Sequence, residues 1–462
     1  MREAHAHIAA FGQSLTMPSL ADCATLTDCL DRVRDAASQV RSGDWVRLLG
    51  ARVEAWPERR WPTITELDRA APHRPCAIMS FDHHAAAANT AAMRAGGVRA
   101  GVAVEPCGTV CVDEHGEPTG LLLEHAAYRV WDAAPEPTRE QARENVRAAL
   151  QALHRLGYRE VHDLHSPDWL GPILADLERN GEMPMERILL YPNVSRLADV
   201  FRTRARWESP ALRLAGGKLF ADGTLNSRTA LMLAPYADPL RGHPNGQAMA
   251  TPDQIEDAVR LAGSLGLHLA VHAIGDEGVR NVLDAFERTT PPTPRHLDTS
   301  APPVLRIEHC ELIDEQDIPR FARLGVIASV QPCHLLADIE VLTRQLPHRL
   351  DRVLPLRDLI DSGAQVWFGS DVPIVRANAE DSIQAAVHRR RAGTPQDQAI
   401  AWNQRITEAE ARAAFRFDPA FTSTGGGAGS LPASVERVGA SPRTDKPPVP
   451  PMPVSGPRLR LS

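Results

Sequence analysis

Two imidazoles, His5 and His7, lie two positions apart in the segment Glu3 to His7. At that spacing they face the same side of an extended strand. Three more polar residues close apolar runs far along the chain. They are His272 in Leu269-Ala-Val-His, His309 in Arg306-Ile-Glu-His and Asp371 in Phe368-Gly-Ser-Asp. Four histidines and one aspartate meeting at one point would suit a divalent ion such as zinc, which takes imidazole and carboxylate readily. Singly, none of them is informative. A histidine at a strand end is most often just hydrogen-bonded, and eighteen histidines generate chance pairs such as His83-His84. Their shared place at the C-terminal ends of apolar segments is what points to chemistry.

The segments themselves are short and rich in Val, Ile and Leu. They run from Glu3 to His7, Tyr158 to Leu164, Arg187 to Tyr191, Lys218 to Ala221, Leu267 to Ala273, Val304 to Cys310, Val326 to Gln331 and Gln365 to Ser370. Near-continuous apolar runs of this length predict strands buried on both faces, the habit of parallel sheets. Helix-period stretches lie between most of them. One follows Thr251-Pro-Asp-Gln, with a Thr cap and Pro at the first helical position; another follows the Thr138-Arg-Glu-Gln capping box. Eight strands alternating with helices predict an α/β fold, a (β/α)8 TIM barrel, whose strand ends converge on one rim. A doubly wound open sheet is the competing architecture, but no Gly-x-Gly-x-x-Gly follows any strand.

The alternation breaks once. A large insertion after the first strand, residues 45–130, has strand-like runs of its own (Trp45 to Leu49, Cys76 to Ser80, Gly101 to Val104) and reads as a pocket subdomain at the barrel mouth. The expected organisation is therefore residues 1–44 as the first barrel strand and its helix, 45–130 as the insertion and 131–418 as the rest of the barrel. Residues 419–462 form a Gly/Pro-rich tail, read as disordered because it has too little apolar surface to offset ordering entropy.

Composition narrows the function classes. The 462 residues carry 51 Lys and Arg against 58 Asp and Glu, a net charge of −7, which gives no global basic field for nucleic acid or an anionic membrane. No apolar run reaches the ~18 residues of a membrane helix, and the first residues lack a signal-peptide core, so the expected location is cytoplasmic. Seven cysteines, an odd number, suit reduced thiols; only Cys107 and Cys111 fall at a metal-ligand spacing, without a second pair. The expected partner is a small-molecule substrate, with a homo-oligomer left open.

His5-Ala-His7, Lys218-Leu-Phe-Ala-Asp-Gly223, Val271-His-Ala-Ile-Gly-Asp276, Arg306-Ile-Glu-His309 and Gly369-Ser-Asp-Val-Pro373 together resemble the metal-dependent amidohydrolase superfamily. Within it they are similar to the amidohydrolase-3 branch, which includes N-substituted formamide deformylase. Supporting matches are Asp82-His-His-Ala85 with Asn89, Gly120-Leu-Leu-Leu-Glu124, Thr229 to Tyr236 and Ser329-Val-Gln-Pro332, and the resemblance spans about residues 3–415. It implies a divalent metal, zinc, as one or two ions, held by His5, His7, Lys218, His272, His309 and Asp371. Lys218 would join as a carbamate formed with CO2, since a protonated amine cannot ligate a cation. The implied reaction is hydrolysis of a non-peptide C–N bond, an N-formyl or N-acyl amide, by a metal-activated water. Asp371 would move the proton, with His309 or His272 assisting at the carbonyl. His84 and Glu124 match positions outside the metal shell and are assigned to substrate, while Asp222, Asp276 and Glu308 are read as orienting neighbouring groups or binding backbone rather than as ligands. A deaminase or cyclic-amide hydrolase on the same scaffold, or a truncated inactive barrel, are the alternatives.

The chain departs from the family at both ends. The first histidine stands at position 5, and the strand-rich closing segment gives way to Gly427-Ala-Gly-Ser and a Pro-rich stretch. The accessory β-sandwich of the family is thus expected to be truncated or missing. A misplaced start and a shifted frame are preferred over a minimal barrel.

Overall fold

Short apolar strands followed by amphipathic helices generate most of the molecule. The computed structural model describes residues 1–81, 83–99, 104, 108–240, 242–289 and 304–417. Two compact units emerge. The first holds Met1–Ala9 and the described chain from Val146 on, the second Ala10–Asn145.

The first unit is an α/β fold with two parallel sheets. One has β1 (Arg2–Ala6), β2 (Glu160–Leu164), β3 (Arg187–Tyr191) and β4 (Leu212–Leu214) in that order. The other has β5 (Gly216–Phe220), β6 (His268–Ala273), β7 (Leu305–His309), β8 (Ile327–Val330) and β9 (Val366–Phe368). Every pairing is parallel. β1, β2, β6 and β8 are buried along their whole length, as strands covered on both faces must be. All eight apolar runs singled out in the sequence become strands of these sheets.

The sheet edges meet other strands rather than ending free. Only Ala215 separates β4 from β5; its N–H donates to the Leu190 carbonyl at 3.0 Å, and Lys218 N–H donates to Pro192 at 2.8 Å. At the opposite edge, Asp371 N–H donates to the His5 carbonyl (2.7 Å) and His7 N–H to Val372 (2.9 Å). A parallel bridge joins Ala6 to Val372. Gly369 permits this approach, because a Cβ there would lie 2.6 Å from the His5 nitrogen and 2.7 Å from Glu3 Oε1.

Local signals fix the helices. Pro252–Ser264 opens on the Thr251–Gln254 capping box and buries Ile255, Ala258 and Ala262, one stripe at helical spacing. Thr138 and Gln141 exchange the same reciprocal bonds ahead of Arg139–Arg155.

The second unit is built on a mixed sheet in the order Val46–Ala51, Cys76–Ser80, Ala85–Ala88, Pro118–Leu123, Thr109–Val112. The first pair is parallel and the rest antiparallel. Its extent differs from the expected 45–130. The helix Leu26–Gln39, assigned above to the first barrel strand, packs Leu26, Cys29 and Val33 with Val46, Leu48, Cys76 and Ile78 of this sheet. The physical reason is its own apolar stripe, which also includes Ala36 and Ala37 and matches the sheet's buried face. Most of the run Gly101 to Val104, together with Asp82, Cys107 and residues 419–462, lies outside the described residues. Among the described residues no helix is long and apolar enough to cross a membrane.

Candidate metal centre

His5 lies within β1 and His7 one residue past it, while His272 and His309 lie at the ends of β6 and β7 and Asp371 follows β9. Parallel pairing places these ends on one side. His309 and Asp371 both adopt left-handed backbone, φ +73° and +63°. That conformation is uncommon outside glycine and clusters at functional positions.

The side chains converge. His7 Nε2 lies 2.8 Å and His5 Nε2 3.3 Å from Asp371 Oδ1. The His5 and His309 ring centroids are 4.9 Å apart, those of His309 and His272 4.4 Å. Lys218 Nζ approaches His5 Nε2 at 3.5 Å. One ligand atom each of His5, His309 and Asp371 lie within 4.8 Å of one another, all buried. His272 Nε2 is 3.0 Å from the Gly223 carbonyl and donates to it, which leaves Nδ1 as the ring atom outside that bond.

Two members of the cluster escaped the sequence reading. His309, Glu311 and His334 form a second buried group with ligand atoms within 4.8 Å. His334 Nδ1 lies 3.6 Å from Glu311 Oε1, and its Nε2 3.6 Å from Asp371 Oδ2. The available signal was position: Glu311 sits two residues beyond His309, and His334 two beyond the Ser329-Val-Gln-Pro332 motif. His84 and Glu124 belong to the second unit, where His84 Nδ1 pairs with Glu124 Oε2 at 2.7 Å.

The three acids expected to orient neighbouring groups or bind backbone are all hydrogen-bonded. Glu308 Oε2 accepts from His5 Nδ1 at 2.7 Å. Asp222 accepts from the backbone N–H of Leu231, Ile274 and Gly275 at 2.8–3.0 Å. Asp276 accepts from Leu233 N–H at 2.9 Å and pairs with Arg349.

Burial, reinforced by the Lys218 cation, pushes His5 well below the usual imidazole range. Burial and the adjoining His272 do the same to His309. Both rings are therefore neutral and keep a lone pair to offer. Burial works against ionisation of Asp371, yet His5 and His7 outweigh it and hold the carboxyl well below its ordinary value. Burial also lowers Lys218 to about 8. His334 is raised to about 9: burial opposes the charge, but Glu311 and Asp371 overcome it.

The donor set fits a cation. Among the described residues His309 Nδ1 and His334 Nε2 are buried without a hydrogen-bond partner, and Asp371 Oδ1 makes no aligned hydrogen bond despite its short approach to His7. The unmet Nδ1 of the neutral His309 ring beside an ionised carboxylate is what a divalent ion satisfies. Comparison with known proteins agrees: the amidohydrolase family model matches residues 1–431. The chain belongs to the amidohydrolase family.

Among amidohydrolase relatives, N-substituted formamide deformylase of Arthrobacter pascens is 26% identical over 451 residues, which span 94% of this chain and 80% of that protein. Two solved structures resemble this amidohydrolase as well. An uncharacterised metal-dependent hydrolase from Pyrococcus horikoshii OT3 has a TM-score of 0.68 at 25% identity, covering 90% of this chain and 79% of its own. Another from Pyrococcus furiosus has a TM-score of 0.64 at 27% identity, covering 89% and 80%.

Proposed function

We propose that this amidohydrolase hydrolyses the C–N bond of a small non-peptide amide, an N-formyl or N-acyl amine, to an acid and an amine. The carrying observation is the buried cluster of His5, His309 and Asp371, whose ligand atoms lie within 4.8 Å of one another. The two parallel sheets are read as one closed (β/α)8 barrel, supported by the Asn193–Lys218 and Ala6–Val372 bridges. Among the described residues six cysteines are free thiols, five of them buried; reduced thiols suit a reducing compartment, and the cytoplasm is the proposed location.

His5, His7, Lys218, His272, His309 and Asp371 are the residues that would hold zinc, as one or two ions. Bound there, the ion would polarise the scissile carbonyl and bring the pKa of a water toward neutrality. Asp371, kept ionised by its histidine neighbours, accepts the proton of that water and delivers it to the leaving nitrogen. His272 and His309 stand against one another, and one of them is assigned to assist at the scissile carbonyl from the family resemblance. Lys218 has its amine lowered to about 8, which enlarges the neutral fraction able to attack CO2 and release a proton as a carbamate forms. The His84–Glu124 pair is assigned to substrate from the family resemblance.

The test combines metal analysis with a substrate panel. Purified chain supplemented with zinc should retain the ion and release amine from N-formyl or N-acyl amines. Absence of any retained divalent ion, or ammonia release from aminated heterocycles alone, overturns the reading.

A further inference from the structure

Arg306 and Glu308 stand two positions apart on β7, hence on one face, and both are fully buried. The Arg306 guanidinium spends every arm on a partner. Nε and Nη2 both reach Glu308, the latter at 3.0 Å. Nη2 also donates to the Ala4 carbonyl (2.7 Å) and the Ser329 hydroxyl (2.8 Å), and Nη1 meets His162 Nδ1 at 2.8 Å. Glu308 Oε2 in turn lies 2.7 Å from His5 Nδ1.

These contacts dictate two tautomers. A guanidinium only donates, and a carboxylate paired with it only accepts. His162 must therefore present a lone pair at Nδ1 and carry its hydrogen on Nε2, which donates to Glu160 Oε1 at 2.9 Å. His5 must carry its hydrogen on Nδ1, leaving the lone pair on Nε2. On its second side Nε2 faces a donor, the Lys218 amine at 3.5 Å, and an acceptor, Asp371 Oδ1 at 3.3 Å, so the much shorter Glu308 contact at Nδ1 decides the tautomer. A competing donor, Gln331 Nε2, lies 3.3 Å from His5 Nδ1 but also bonds the Ser329 carbonyl at 3.2 Å. The shorter carboxylate contact governs.

We propose that Arg306 and Glu308 are positioning residues that lock His5 as the Nδ1–H tautomer and so present Nε2 as its metal-binding atom. The proposal rests on reading the cluster as a metal centre. It adds what sets that centre: a buried ion pair anchored on β1, β2 and β8 through Ala4, His162 and Ser329.

Long-range 1H–15N correlation spectra of the metal-free full chain, labelled at histidine nitrogens, distinguish the tautomers. The His5 signals are identified by their loss in His5→Gln. The wild type should show His5 protonated on Nδ1. In Glu308→Gln the amide oxygen stays against Arg306 Nε, which turns an N–H toward His5 Nδ1. His5 should then shift to the Nε2–H form, and zinc affinity, measured by competition with a chromophoric chelator, should fall about 10–100-fold. A wild-type His5 protonated on Nε2, or a folded Glu308→Gln that binds zinc as the wild type does, overturns the proposal. The wild-type spectrum decides the matter even where the variant does not fold. Failure of the wild type to bind zinc would sink the metal centre itself, whereas the tautomer of the metal-free chain is read independently.

Discussion

Asp371 sits between two histidines that reach it at 2.8 and 3.3 Å and a third, His334, at 3.6 Å. A carboxylate so surrounded can serve both as ligand and as proton carrier, and the two roles separate by substitution. Asp371→Asn keeps the shape and an oxygen donor but loses the base. Turnover is expected to fall by about 10²–10⁴ with zinc content retained; kcat together with metal analysis checks this, and unchanged turnover removes Asp371 as proton carrier. Residues of this kind were legible in the sequence because each ends an apolar run that can only be a buried strand. Glu311 and His334 were not, since they lie past strand ends in segments without periodicity. His334 reaches Glu311 and Asp371 from another part of the chain, so only the folded chain reveals the grouping.

Strands and helices show the same divide. Most of the eight runs of the first unit were legible because branched aliphatic residues buried on both faces dominate them; β1, Arg-Glu-Ala-His-Ala, holds none and was marked by its paired histidines. Ala85–Ala88 left none: four alanines carry no strand preference, and their place comes from antiparallel pairing with Cys76–Ser80 and Pro118–Leu123. The junction of β9 with β1 tests how closely elements must approach to assemble the site. Gly369→Ala would set a Cβ 2.6 Å from the His5 nitrogen, forcing backbone to shift. A destabilisation of about 1–3 kcal/mol is expected, with weaker zinc binding alongside. Denaturant unfolding and chelator competition measure both, and wild-type values in each would show the junction to be looser than the geometry says.

For the molecule as a whole, buried imidazoles govern acid stability. Burial lowers His162 to about 4, and His165 and His268 to about 3. Above the ordinary imidazole value near 6.5 these groups are neutral folded or unfolded, and contribute no slope. Below it the unfolded chain takes up protons that the folded chain refuses, so stability falls as pH drops from about 6.5 toward 4. His162→Gln should flatten that fall by up to about 1.4 kcal/mol per pH unit, read from unfolding curves across the window; an unaltered slope would place the titration elsewhere. Zinc should act in the opposite sense, adding about 2.7 kcal/mol at a hundredfold excess over its dissociation constant, so chelation lowers Tm. The contact of Glu3 Oε1 with Ser370 N–H at 2.8 Å joins groups 367 positions apart. At about 5–20 residues per second of translation, a nascent chain would carry His5 out of the ribosome roughly 20–70 s ahead of Asp371. Throughout that interval the donor set for the ion is incomplete, so a full coordination shell can form only once Asp371 has left the ribosome.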